Sequence, residues 1–110
     1  MILVFGSINI DLVLPVSSLP KPGETVLANE CLQMPGGKGA NQAYAARCAG
    51  AETVFVGSVG ADGHGELALS LLKEQGIDLS LIKVSDRSTG CAVVLVDDSG
   101  ENAIAVASGA

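Results

Sequence analysis

Ile2-Leu3-Val4-Phe5 is an unbroken apolar run closed by Gly6, which predicts a short strand buried in a parallel sheet. From Ser7 to Leu14 polar and apolar residues alternate with period two as far as Pro15. This predicts a second, half-exposed extended segment, ending where proline removes a backbone donor. Leu19-Pro20-Lys21-Pro22-Gly23 has turn composition, and Glu24 to Met34 is β-prone enough to return as a partner strand. The character changes at Pro35-Gly36-Gly37. Lys38 to Cys48 is rich in alanine, with Ala40, Ala43, Tyr44 and Cys48 on one helical face and Gly50 placed to end the helix. Small residues on that face allow the helix to sit close to a sheet.

Thr53-Val54-Phe55-Val56-Gly57 repeats the opening strand pattern. Gly60 to Gly65 reads as a loop. Glu66 to Gln75 reads as a second helix, with Leu67, Ala68, Leu71 and Leu72 on one face and Gly76 stopping it. The order strand, extended pair, helix, strand, helix predicts an α/β fold with a parallel sheet. After Asp86-Arg87-Ser88 the rhythm changes again. Cys91 to Val96 and Asn102 to Ala107 flank Asp97-Asp98-Ser99-Gly100, a β-hairpin signature with a positive φ tolerated at Gly100. No helix follows to cover this pair, which is free to join the earlier one in a separate small sheet.

The 110 residues suffice for one domain with a modest core. With 48% hydrophobic and 16% charged residues, the chain is neither disordered nor fibrous. Such apolar character fits strands buried on both faces, and equally a face that expects partner structure. Six basic against twelve acidic residues give a net charge of −6, and the basic ones are scattered. That excludes a general nucleic-acid binder, which needs a clustered basic surface. No apolar run is long enough for a spanning helix or a signal-peptide core, so neither a membrane nor export is expected. Cys31, Cys48 and Cys91 have no metal-binding spacing and read as reduced, buried small residues of a cytoplasmic protein.

The candidate chemistry lies in Pro35-Gly36-Gly37-Lys38-Gly39-Ala40-Asn41-Gln42. Glycines ahead of a helix permit close backbone approach and leave N–H groups facing whatever lies at its N-terminus. Lys38 and Asn41 fall on the first turn. The motif is not a Walker A loop, because Lys38 is followed by Gly39 and no glycine stands five residues before Gly37. Gly57 to Gly65 does not match the dinucleotide fingerprint either. Asn9 and Asp11 alternate with Ile8, Ile10 and Leu12, so both project from one face just past the first strand, where open α/β sheets bind ligands. A carboxylate and an amide side by side suit a polyol or sugar. The plainer readings are a solvated lysine at a glycine-rich helix start and the polar outer face of a hairpin.

Gly6-Ser7-Ile8-Asn9-Ile10-Asp11, Pro22-Gly23-Glu24-Thr25, Gly36-Gly37-Lys38-Gly39-Ala40-Asn41-Gln42-Ala43, Gly60-Ala61-Asp62-Gly63-His64-Gly65, Ser88-Thr89-Gly90 and Ala107-Ser108-Gly109-Ala110 follow one another in order. Together they resemble the N-terminal portion of the PfkB carbohydrate kinase family, at its ribose-phosphorylating branch. The resemblance spans residues 1–110. It implies part of a ribokinase-like α/β domain, incomplete here, with a parallel sheet, flanking helices and a small β lid of two extended pairs at about 10–34 and 89–107. It implies sugar contacts from Asn9, Asp11, Gly37, Lys38 and Asn41. ATP, Mg2+ and K+ are implied as cofactors and a homodimer through the lid as the assembly. The family's catalytic base belongs to a Gly-Ala-Gly-Asp segment that no part of this chain matches, so no catalytic, nucleotide or metal residue is expected here. A noncatalytic module that binds sugar or dimerises through the lid is a second reading and a kinase of the family acting on another sugar or a nucleoside a third, and Asp62 reads as a turn and helix-entry residue.

Overall fold

A computed structural model describes residues 1–110. Its elements are β1 (Ile2–Phe5), β2 (Asn9–Pro15), β3 (Leu32–Gly36), α1 (Lys38–Cys48), β4 (Thr53–Gly60), α2 (Gly63–Glu74), β5 (Asp78–Ser85), β6 (Gly90–Val96) and β7 (Asn102–Ala107). Two sheets form. One is parallel, in the order β1-β4-β5; the other is mixed, in the order β3-β2-β6-β7. In the second, the antiparallel pairs β2/β3 and β6/β7 are joined by a parallel pairing of β2 with β6. The two extended pairs read from the sequence therefore make one sheet.

Several differences from the sequence reading have local causes. Strand structure in the Glu24 to Met34 segment is confined to β3, since residues 24–31 pair with nothing. Helix α2 starts at Gly63, inside the expected Gly60–Gly65 loop, because Asp62 caps it and leaves Gly63 and Gly65 in the first turn. Strand β5 was not anticipated. Leu79 and Leu81 alternate with polar residues until Ile82 breaks the period, the run follows directly on a helix and Gly76, and parallel pairing with β4 decides its state. The cysteines are not buried: Cys31 and Cys48 are exposed and Cys91 half-buried. On α1 the buried residues are Gly39, Ala40 and Ala43, while Tyr44 and Cys48 reach solvent.

One cluster, with Val4, Ile8, Ile10, Ala40, Ala43, Phe55, Val59, Ala68, Leu72 and Ile77, serves both sheets. Both helices pack into it from the same side of the parallel sheet. The register puts Leu3 beside Val54 and aligns Phe5, Val56 and Leu81 across the opposite face. There Phe5 is 83% exposed, Leu3 62% and Leu81 54%. This face has no cover. The Cα radius of gyration is 15.5 Å, against about 13 Å for a compact chain of this length, as expected of a flat molecule with a thin core.

A parallel sheet bare on one side loses apolar burial that a second layer normally supplies. The 110-residue chain is expected to self-associate through this face, since its charge of −6 is screened beyond ~8 Å at physiological salt. Sedimentation at several concentrations checks this. A strictly monomeric species with a sharp cooperative melt would show the bare face to be tolerated.

Candidate functional site

The ends of β1 and β3, the start of β2 and the first turn of α1 meet at one point, and glycine makes the meeting possible. A Cβ on Gly6 would stand 2.8 Å from the Gly39 Cα, and one on Gly39 would stand 2.5 Å from the Gly6 carbonyl carbon. Strand end and helix start thus touch backbone to backbone. Gly37 precedes α1 with φ 99°, a conformation that costs glycine little. A side chain there would stand 2.5 Å from the Ser7 carbonyl oxygen.

Gly37 gives α1 no side-chain cap, and Ser7 supplies one from another element. The Lys38 N–H donates to Ser7 Oγ at 3.2 Å and the Ala40 N–H to the Ser7 carbonyl at 3.0 Å. Two otherwise orphaned donors of the helix are satisfied in this way. Sequence reasoning did not single out Ser7. Its only signal is a hydroxyl directly after the glycine that closes a strand.

The five sequence-derived residues lie around this junction. Asn9 and Asp11 stand on one face of β2, paired with Gly36 and Met34 respectively. The Asp11 carboxylate lies over Gly36, where a Cβ would meet Oδ2 at 2.6 Å. The Asn9 amide oxygen lies over Gly90 of β6. Lys38 begins α1 and is exposed. Asn41 follows one turn on, its N–H bonded to the Gly37 carbonyl at 2.9 Å. None of the side chains of Asn9, Asp11, Lys38 and Asn41 is held by a hydrogen bond within the chain, so their polar atoms are free for a ligand.

Their grouping is not a single walled cavity. Asn41 borders a cleft of about 190 Å3 between α1 and α2, with Pro35, Tyr44 and Leu71. A larger cleft, of about 510 Å3, lies at the carboxyl ends of the parallel strands between Ser7, Ser58, Lys83 and Ala110. Asn9, Asp11, Gly37 and Lys38 border neither and form an open shelf beside them. No three His, Cys, Asp or Glu side chains are gathered as metal ligands. No helix is long and apolar enough to cross a membrane.

Asp62 was read as a helix-entry residue, and it is the N-cap of α2, accepting from the Gly65 N–H at 2.8 Å. It also holds Thr89, a contact the sequence reading did not foresee. The Thr89 hydroxyl, followed by the backbone N–H groups of Thr89 and Gly65, keeps the Asp62 carboxyl below its ordinary value.

Comparison with known proteins assigns the family. The pfkB family carbohydrate kinase model matches residues 1–110, and the chain belongs to that family. It is similar to the ribokinase of Haemophilus influenzae, 44% identical over 108 residues, covering 97% of this chain and 35% of that one. The ribokinase of Bacillus subtilis is 42% identical over 110 residues, covering 99% and 37%. The structure of Arabidopsis thaliana ribokinase complexed with ribose and ATP superposes with a TM-score of 0.89 at 39% identity, covering 98% of this chain and 36% of that one. The chain spans about a third of the length of these relatives.

The Gly6–Gly39 contact generates a prediction. Alanine in place of glycine within a helix normally stabilises by up to ~1 kcal/mol. At Gly39 the new methyl meets the Gly6 backbone, so Gly39→Ala is expected to destabilise by roughly 1–3 kcal/mol through overpacking. A control Gly63→Ala, with open space around its Cβ, is expected to be neutral or stabilising. Thermal melts of the two variants beside the parent check the pair; equal melting points would remove the close approach as a constraint.

Proposed function

We propose that these residues form the sugar-holding part of an ATP-dependent carbohydrate kinase that phosphorylates D-ribose on its terminal hydroxyl. The observation that carries this reading is the shelf at the Gly36–Gly37 junction. There an ionisable carboxylate and an amide with uncommitted polar atoms stand beside a glycine-built helix start carrying a lysine. Asp11 accepts from ring hydroxyls, and Asn9 has both a donor and an acceptor to offer. Gly37 offers its backbone N–H, while Lys38 and Asn41 add donors from the first turn of α1. These contacts would orient the sugar for reaction, the positioning on which phosphoryl transfer depends.

ATP, Mg2+ and K+ enter the proposal from the family, and solved ribokinases bound to ADP and to ribose and ATP support the nucleotide. No residue of this chain is assigned to them. A base for the hydroxyl proton is likewise not assigned among these residues. The cytoplasm is the proposed compartment.

The mixed sheet is proposed as a lid over the sugar and as the contact between two copies of the chain. Its Asp11 face carries Leu32, Met34, Ile104 and Val106 in register, all exposed. A second copy would bury them.

In a complete kinase domain carrying these residues, Asp11→Ala is expected to weaken D-ribose binding by ~2–4 kcal/mol while leaving ATP affinity and the melt intact. The sugar hydroxyls that Asp11 would serve are then left unpaired in a closed site. Calorimetry with each ligand measures this, and unchanged ribose affinity would return Asp11 to a solvated strand face. The 110 residues produced by themselves are expected to release no ADP from MgATP with ribose and potassium. Turnover that survives repurification would place a base within them.

A further inference from the structure

Helix α2 needs one acceptor for its N-cap, yet Asp62 uses both of its oxygens. Oδ1 accepts from the Gly65 N–H at 2.8 Å and from the Thr89 hydroxyl at 2.6 Å. Oδ2 accepts from the Thr89 N–H at 2.9 Å. The same hydroxyl accepts from the Gly60 N–H at 2.9 Å, so Thr89, only 3% exposed, both donates and accepts through it within the chain. Glycine is required on both sides of this knot. A Cβ on Gly60 would stand 2.5 Å from the Arg87 carbonyl oxygen, and one on Gly65 would stand 2.9 Å from Thr89 Oγ1.

What the knot secures is the place where the chain crosses from the parallel sheet into the mixed one. Thr89 ends the crossover from β5 and Gly90 begins β6. Gly90 pairs with Asn9, whose amide oxygen lies over it, and a Cβ there would stand 2.9 Å from the Ser108 carbonyl oxygen. Ala110 N–H adds a bond to the Ser88 carbonyl at 2.7 Å, so the return from β7 is fastened at the same point. A serine or threonine would cap α2 equally well. It would not hold the backbone N–H and the hydroxyl of Thr89 at once.

We propose that Asp62 is a positioning residue for the sugar site, setting the seat of Asn9 through Thr89 and Gly90. It thereby fixes the angle at which the mixed sheet presents Asn9 and Asp11 to Gly37 and Lys38. This rests on the sugar-binding reading of that shelf. Asp62 touches no ligand. Ser7 fastens the same sheet to α1 at its other root, so the two contacts together leave it little freedom to swing.

The test compares Asp62→Ser, which keeps an α2 cap, with Thr89→Val, which removes the hydroxyl, and Thr89→Ser, which restores it. Hydrogen exchange read by mass spectrometry on the 110-residue chain is expected to rise about tenfold in segments 8–11 and 88–92 for Asp62→Ser and Thr89→Val. Exchange in β1 and β4 should stay as in the parent, and Thr89→Ser should match the parent throughout. D-ribose affinity by calorimetry should fall about tenfold in the first two variants and recover in the third. Equal acceleration in β1 and β4 would mean general loosening and overturn the proposal, as would unchanged exchange at 8–11. Should Asp62→Ser not fold, the Thr89→Val and Thr89→Ser pair decides by the same readings. Absence of ribose binding in the parent would count against the sugar reading alone, while exchange in the ligand-free chain still judges the latch.

Discussion

Gly6 and Gly39 lie in van der Waals contact, backbone against backbone, and the rest of the molecule is arranged around that contact. With β1 ending against the first turn of α1, the chain must leave Gly6 sideways into a second sheet rather than continue in the first. Ser7, the next residue, is thereby in place to satisfy the N–H groups that a glycine N-cap leaves open. Gly37, held between the Ser7 carbonyl and the Asn9 N–H, has no room for a side chain and takes a φ that glycine adopts cheaply. One steric condition therefore places β2, the start of α1 and the Asp11 carboxylate over Gly36.

Two sheets share a single thin core, and the division of their faces follows from it. Ile10 and Phe55, both fully buried, face the helices, and what alternates with them faces out. In β2 those outward residues are Asn9 and Asp11; in β1 and β4 they are Leu3, Phe5, Val54 and Val56. The same alternation therefore yields a polar shelf in one sheet and an uncovered apolar face in the other. Dispersion and burial hold the core together but are not directional. Orientation between the sheets is set instead by hydrogen bonds at their roots, donated by α1 N–H groups to Ser7 and by Thr89 to Asp62.

Much of this was legible along the chain. The closed apolar runs at Ile2–Phe5 and Thr53–Gly57, the alternation read over Ser7–Leu14 and the Asp97–Gly100 hairpin all carry their periodicity locally, and each appears as strand structure. Strand β2 begins only at Asn9, β4 runs on to Gly60, and Ile2, Leu3 and Phe5 are exposed rather than buried, the latter two because no layer covers their face. Gly50 and Gly100 adopt positive φ as their positions require. Strand β5 escaped because its alternation is partial and its pairing partner lies far back in sequence. The cysteines were misplaced because composition gives a residue type's average burial, whereas Cys31 falls in an unpaired segment and Cys48 on the outer side of α1.

The sequence by itself determined both helices and the strands other than β5, apart from their exact ends, together with where glycine must stand and which residues on β2 share a face. Those properties depend on neighbours a few positions apart and on periods of 2 and 3.6. Only the tertiary structure decided that Ser7 caps a helix 31 residues away and that Thr89, 27 residues from Asp62, lies within reach of its second oxygen. It also decided that both helices cover the same face of the parallel sheet. These outcomes depend on how two sheets pack on one core, and no local pattern encodes the distance between residues that only packing brings together.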